Sequence, residues 1–337
     1  GQVEENRYEP LGVYLENVQS ADPKYYEGED VIIWGTVKAR TLDEPVYIKV
    51  NCSVEDEDEE DKKIYANKVD PEETFPVFTL EDNDFACTFD KGRAIKQGSS
   101  SITAFADFNF ETLAYLKVYF INRDRQRAMV REGLDIFKEF DIKDKEPVAI
   151  YTNGPVDLAM ETTTPLIGIA ERYAAPPALD IGLTNRAGWE GEITDLRELV
   201  LFFPEGITKV SCNKQFDPYT ITNCQGNCTA VKAECEDICA DFGGCGNSCE
   251  ESKTKCNDTC ASLLEDGGYN GYSLDLADLD LKGGKKDPEK FKLFRCRFKP
   301  DAGIVLGSAP IATKFFRVKA RYNYKIEEDV SVKITDP

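Results

Sequence analysis

The residues with the clearest chemical spacing are eight cysteines at 224, 228, 235, 239, 245, 249, 256 and 260, which read as C-x3-C-x6-C-x3-C written twice. Thiols in such numbers either hold metal ions or close disulfides, and the spacing separates the two. On an α-helix advancing about 100° per residue, the offsets within each half fall at about 0°, 40°, 20° and 60°, one narrow stripe. Two such helices folded antiparallel bring residues level when their numbers share a constant sum. One pairing satisfies this throughout: Cys224–Cys260, Cys228–Cys256, Cys235–Cys249 and Cys239–Cys245. The C-x2-C knuckles of zinc and iron–sulfur sites are absent, and a stripe about 22 Å long cannot converge on one centre. The spacing predicts an antiparallel helical hairpin stapled by four disulfides, with no bound metal.

Other chemistry is narrowed by what is missing. The chain has no histidine, which removes Ser-His-Asp and Cys-His nucleophile pairs, histidine bases and imidazole metal ligands. A hydrolase would have to work with carboxylates alone, such as Asp275, Asp278 and Asp280, whose alternation with leucine reads as a strand or turn with a wet face. No enzymatic activity and no cofactor are expected. The acidic run Glu55–Asp61 lacks the glycine and the alternating ligands of a calcium loop, and reads as a solvated hairpin tip. Sugar acceptor sequons start at Asn51, Asn227 and Asn257. Strand alternation turns Asn51 outward, so possible N-glycans are expected there first. A net charge of −21 would repel nucleic acid and anionic lipid alike.

The elements that position these residues are mainly strands. Period-two runs at Gly12–Val18, Glu29–Ala39, Pro45–Val54, Pro76–Leu80, Asp84–Phe89, Ser101–Phe108 and Leu113–Ile121 read as a first β-sandwich over 11–122, after a polar tail at 1–10. Cys52 and Cys87 both fall on inward faces of this unit and are expected to pair. Residues 123–147 form a linker in which Val130, Leu134 and Phe137 stand at helical spacing, predicting one amphipathic helix from Asp124 to Phe140. A second sandwich over 148–337 takes Val156–Glu161, Ala178–Thr184, Gly191–Phe203, Phe291–Phe298 and two closing strands in Phe316–Tyr324 and Val330–Ile334. Cys212 and Cys296 lie on its strands as a further pair. The hairpin, within 213–271, is inserted between them and is expected to stand as an autonomous protrusion. The fold class is therefore mainly β: two Ig-like sandwiches, a connecting helix and the inserted hairpin.

The segment Cys224–Cys260 resembles the disulfide-linked α-hairpin peptides, doubled from two bridges to four. The phrases Leu183-Thr-Asn-Arg-Ala-Gly-Trp-Glu-Gly, Leu199-Val-Leu-Phe-Phe-Pro-Glu-Gly and Phe316-Arg-Val-Lys-Ala-Arg-Tyr-Asn-Tyr resemble Ig-like modules of archaeal and bacterial cell-surface proteins, archaeal ones most closely. The first resemblance implies a hairpin fold, the second a surface location. Twelve cysteines, an even number, point to an oxidising setting, and a start at Gly1 fits a mature chain whose signal peptide is gone. No run is long enough to span a bilayer, although an anchor beyond Pro337 would fit the strong final strand. The expected role is an extracellular structural protein, a self-associating subunit of a cell-surface filament or surface layer. An adhesin recognising glycan or a partner cell is the alternative.

Overall fold

A computed structural model describes the chain except residues 1–9, 42–45, 56–61, 72, 78–79, 93–94, 96, 187–188, 190, 240–245, 277–291 and 337. In chain order the strands of the first part are β1 (Gly12–Ser20), β2 (Tyr25–Tyr26), β3 (Val31–Arg40), β4 (Val46–Glu55), β5 (Lys63–Tyr65), β6 (Lys68–Asp70), β7 (Thr74–Val77), β8 (Leu80–Phe89) and β9 (Gly98–Asn122). Helices α1 (Arg123–Arg131) and α2 (Ile136–Glu139) follow, then β10 (Ile150–Tyr151), β11 (Val156–Thr162), β12 (Leu166–Ile169), β13 (Ala178–Asn185), β14 (Gly191–Phe203), β15 (Ile207–Cys212) and β16 (Phe216–Tyr219). The hairpin helices are α3 (Ile221–Cys239) and α4 (Gly246–Ala261), succeeded by β17 (Asn270–Leu274), β18 (Lys292–Pro300), α5 (Ala302–Val305) and β19 (Ile311–Thr335). The protein is mainly β with several antiparallel sheets, as its alternation predicts.

The architecture rests on β9 and β19, each 25 residues long. They pair antiparallel without a register shift, from Ile311 opposite Ile121 to Ile334 opposite Gly98. The sequence predicts a break between Phe108 and Leu113 and another between Tyr324 and Val330, and neither is present. The polar residues read as turns are satisfied inside the sheet instead. Asn109 Oδ1 accepts the Tyr47 backbone N–H at 2.7 Å, the Thr112 and Tyr322 hydroxyls share a 2.8 Å hydrogen bond, and Thr103 donates to Asp329 at 2.6 Å. With those groups paired, nothing forces the chain to turn.

The central sheet reads β16-β17-β14-β19-β9-β4-β5, and smaller sheets β1-β3-β8-β6 and β11-β13-β18-β15 complete the fold. Along the middle of β9 and β19, even-numbered residues such as Phe108, Leu116, Phe316 and Tyr322 are buried and share one continuous core with both smaller sheets. Segments 11–122 and 148–337 thus contribute neighbouring strands to one sheet. The Cys52–Cys87 disulfide ties β4 of the central sheet to β8 of the first small one. On the second, Phe298 of β18 meets Phe316 and Phe203 with ring centroids 5.0 and 6.0 Å apart. Cys212 and Cys296 bridge directly opposed positions of β15 and β18.

The single helix expected over 124–140 is two short ones. Gly133, at φ 74°, turns the chain between them. Val130 and Leu134 of the predicted stripe stay exposed; Ile136, Phe137 and Phe140 instead join Tyr119, Ile121 and Leu166 in a separate cluster on the odd-numbered face of β9.

Candidate functional site

The hairpin is helical where its cysteine stripe predicts, and Cys224–Cys260, Cys228–Cys256 and Cys235–Cys249 are bonded in level succession. The Cys239–Cys245 pairing falls partly outside the described residues. Cys224, Cys228 and Cys260 bring three sulfurs within 4.8 Å, but each is already bonded as a disulfide rather than offered as a thiolate. Lys232 on α3 pairs with Glu250 on α4, a charge contact across the hairpin.

Contrary to the expected protrusion, this hairpin lies on the central sheet. Leu199, Leu201 and Phe203 of β14 point into the main core, and the intervening Val200 and Phe202 point outward, into a second cluster with Tyr219, Cys224, Cys228 and Cys260. At the other end the Cys235 and Cys249 sulfurs pack against Tyr47 on β4. The helices therefore cross the outer face of the central sheet from β14 to β4. An autonomous rod needs a polar surface all round, whereas one side of this one meets apolar strand residues.

Beneath the hairpin base lies a buried polar group. Glu198 on β14, 4% exposed, and Lys319 on β19, 7% exposed, form an ion pair at 2.8 Å through Oε2. The other carboxylate oxygen, Oε1, accepts the Tyr219 hydroxyl at 2.7 Å and the Asn227 side-chain N–H at 2.5 Å. Asn227 also donates to the Tyr219 oxygen at 3.3 Å. Burial alone would raise the Glu198 pKa; the Lys319 charge and the hydrogen bonds from Lys319 and Tyr219 outweigh it and hold the carboxyl below its ordinary range. Burial and the Glu198 charge push the Tyr219 hydroxyl upward.

Beside this group a cleft of about 270 Å³ runs between hairpin and sheet. Its lining carries Arg197, Lys255, Lys319 and Arg321 against one acid, Glu111, with Leu113 and Phe202 among its apolar walls. The lining is rich in cationic side chains for a chain of net charge −21, and Lys319 among them is matched by Glu198. Arg321 reaches Glu111 at 3.8 Å and Arg197 reaches Asp195 at 2.8 Å, so the bases are positioned by carboxylates rather than left to fold back.

The sequons land in unequal surroundings. Asn51 does not face solvent as alternation suggests: it is 7% exposed. The chain at residue 73 closes over it, with Asn51 donating to Glu73 Oε1 at 3.0 Å and the Val50 N–H bonding the Glu73 carbonyl at 2.7 Å. Asn227 is turned into the Glu198 group. Asn257 is half-buried, with Oδ1 enclosed and without a hydrogen-bond partner. Asp275 is described but Asp278 and Asp280 are not, and residues 56–61 of the acidic run also lie outside the described residues.

The Glu198 group is not among the residues the sequence singles out. Its signal is a charge inside an apolar run, Glu198 in Leu196-Arg-Glu-Leu-Val-Leu-Phe-Phe203, with Lys319 in the opposing strand. Among the described residues no helix is long and apolar enough to cross a membrane.

No protein-family model and no curated protein matches this chain. Among solved structures, a chain of the chaperone–tip adhesin complex of CFA/I fimbriae biogenesis aligns at 8% identity over 58% of this chain and 73% of its own, with a TM-score of 0.19. The sporulation control protein Spo0M from Bacillus subtilis aligns at 12% identity over 53% and 69%, with a TM-score of 0.18. The Enterococcus faecalis MSCRAMM ACE, described as binding its ligands by the collagen Hug Model, aligns at 10% identity over 96% and 95%, with a TM-score of 0.15. Superpositions this loose carry nothing about fold or function, which rest on the chain's own residues.

Proposed function

We propose that the chain is an extracellular structural protein, a subunit that self-associates into a cell-surface filament or layer. The observation that carries this reading is an apolar stripe on the outer face of the central sheet that is left exposed among the described residues. Between the hairpin on one side and α1–α2 on the other, Leu113, Tyr115, Ile150 and Phe315 are each more than a third exposed. Ile150 lies opposite Tyr115 in the β10–β9 ladder, and the Tyr115 and Phe315 rings meet edge-on at 6.1 Å. A contiguous patch of rings and branched aliphatics on a protein this acidic marks a contact surface. A second copy of the chain is the occupant, because such a surface is complementary to itself without opposite charge. Disulfides linking strands and helices suit a protein that works where thiols are oxidised and chaperones are absent. The reading requires no catalysis and no cofactor.

The test is light scattering and negative-stain microscopy of concentrated protein beside a Tyr115→Glu/Ile150→Glu variant. Ordered polymers from the parent and monomers from the variant support the proposal. Monomers from both sink it. The cation-rich cleft favours a second reading, an adhesin, and a monomer that binds acidic glycans on an array would move the assignment there.

A further inference from the structure

The Glu198 group contains more than an ion pair needs. Lys319 Nζ sits on one oxygen of the carboxylate and the Asn227 amide nitrogen on the other, at 2.8 and 2.5 Å. An amine nucleophile, a carboxamide and a carboxylate able to move protons between them are thereby gathered where water is largely excluded, on three elements apart in sequence: β19, α3 and β14. Asn227 lies at the root of the hairpin, between the bridged Cys224 and Cys228.

We propose that Lys319 and Asn227 become joined by an intramolecular isopeptide bond, with Glu198 as the proton carrier. The ion pair is the resting state, so attack runs through its minor neutral form: Lys319 Nζ passes a proton to Glu198 against the pull that keeps the carboxyl ionised, and the lone pair freed in that fraction attacks Asn227 Cγ. A second Nζ proton follows through the same carboxylate to the departing nitrogen, and the Cγ–Nδ2 bond breaks. Nδ2 leaves as ammonium carrying both protons that Lys319 has lost. An amide between Nζ and Cγ remains, Glu198 ends as it began, and nothing is oxidised or reduced. Lys319 and Asn227 rest on the two oxygens of one carboxylate, and closing Nζ onto Cγ from there is the movement that gives the proximity so unreactive an amide needs. The reaction runs once per molecule, and its product fixes the hairpin to the central sheet at a point that the disulfides do not reach.

Asn227 also heads a sequon, so a glycan and the isopeptide compete for the same atom. The experiment is intact mass of the purified, fully reduced chain, followed by tryptic mapping. The expected result is a mass lighter by one ammonia, and peptide Gln215–Lys232 recovered joined to Val318–Arg321 with Lys319 uncut. Lys319→Met and Asn227→Ala should restore the full mass and separate the peptides. Glu198→Gln, which keeps the shape but cannot carry the protons, should do the same. A parent chain of full mass with the two peptides separate, or one bearing sugar at Asn227, overturns the proposal. A Glu198→Gln chain that still links overturns the role of Glu198.

Discussion

Replacing Phe298 with alanine tests whether the shared central sheet makes the chain one folding unit. Phe298 is fully buried, on β18 of the second small sheet. Its ring meets Phe316 at 5.0 Å and Phe203 at 6.0 Å, both on the central sheet. Truncating a buried phenylalanine costs about 3–5 kcal/mol, of which each lost ring pair contributes roughly 0.5–1.5 kcal/mol. For a slope on the order of 3 kcal/mol per molar urea, the midpoint should fall by about 1 M or more. The reporter is Trp34 on β3 of the opposite small sheet, made the sole tryptophan by Trp189→Phe. If β9 and β19 couple the two ends, Trp34 fluorescence and far-ultraviolet circular dichroism should shift together, under non-reducing conditions. Two separated transitions, with the Trp34 midpoint unmoved, would refute the coupling and restore two independent sandwiches.

Other outcomes follow from the same geometry. Non-reducing peptide mapping should recover Cys52–Cys87, Cys212–Cys296 and the three level hairpin pairs, with Cys239–Cys245 completing the ladder; free thiols or stoichiometric zinc in the hairpin would contradict it. Replacing residues 223–262 by a short Gly/Ser loop should uncover Val200 and Phe202 and cost roughly 3–6 kcal/mol at about 1.5–3 kcal/mol per side chain. An unchanged denaturation midpoint would mean that the hairpin does not pack on the sheet. In Asn227→Ala protein, where Lys319 keeps its free amine, the lowered Glu198 pKa adds stability that is fully present above the unfolded carboxylate value of about 4.3 and is lost as pH falls through the lower folded value. Urea titrations across that window should show an acid loss that Glu198→Gln/Lys319→Met removes, and equal pH profiles would refute the assignment.

How much of this was legible in the sequence depends on whether a signal was local. The three described hairpin bridges follow from mirror-symmetric cysteine spacing, because the pitch of a helix fixes which residues come level. The strands follow from alternation, and Gly191–Phe203 matches to the residue. The long strands were cut short because Asn109 and Asp329 are residue types that favour turns, while their partners, the Tyr47 backbone N–H and the Thr103 hydroxyl, lie on distant strands. The Glu198 group was illegible for the same reason: Glu198, Tyr219, Asn227 and Lys319 converge only once β14, β16, α3 and β19 are assembled. The seat of the hairpin depended on which face of β14 was left open, and alternation marks two faces without saying what covers the second.

The Cys212–Cys296 bridge matters most if the protein is ever pulled. Tension travelling along the backbone reaches Cys212, crosses the sulfurs and continues from Cys296, bypassing everything between. The bonded residues are 84 apart in sequence, so roughly 280 Å of contour, at about 3.3–3.6 Å per residue, is hidden from the load. The hairpin helices sit inside that slack loop, while the sheet wall of the cleft, with Arg197, Lys319 and Arg321, lies outside it. Traction on the chain would therefore load one wall of the cleft and leave the other, the helical one, beside the line of force.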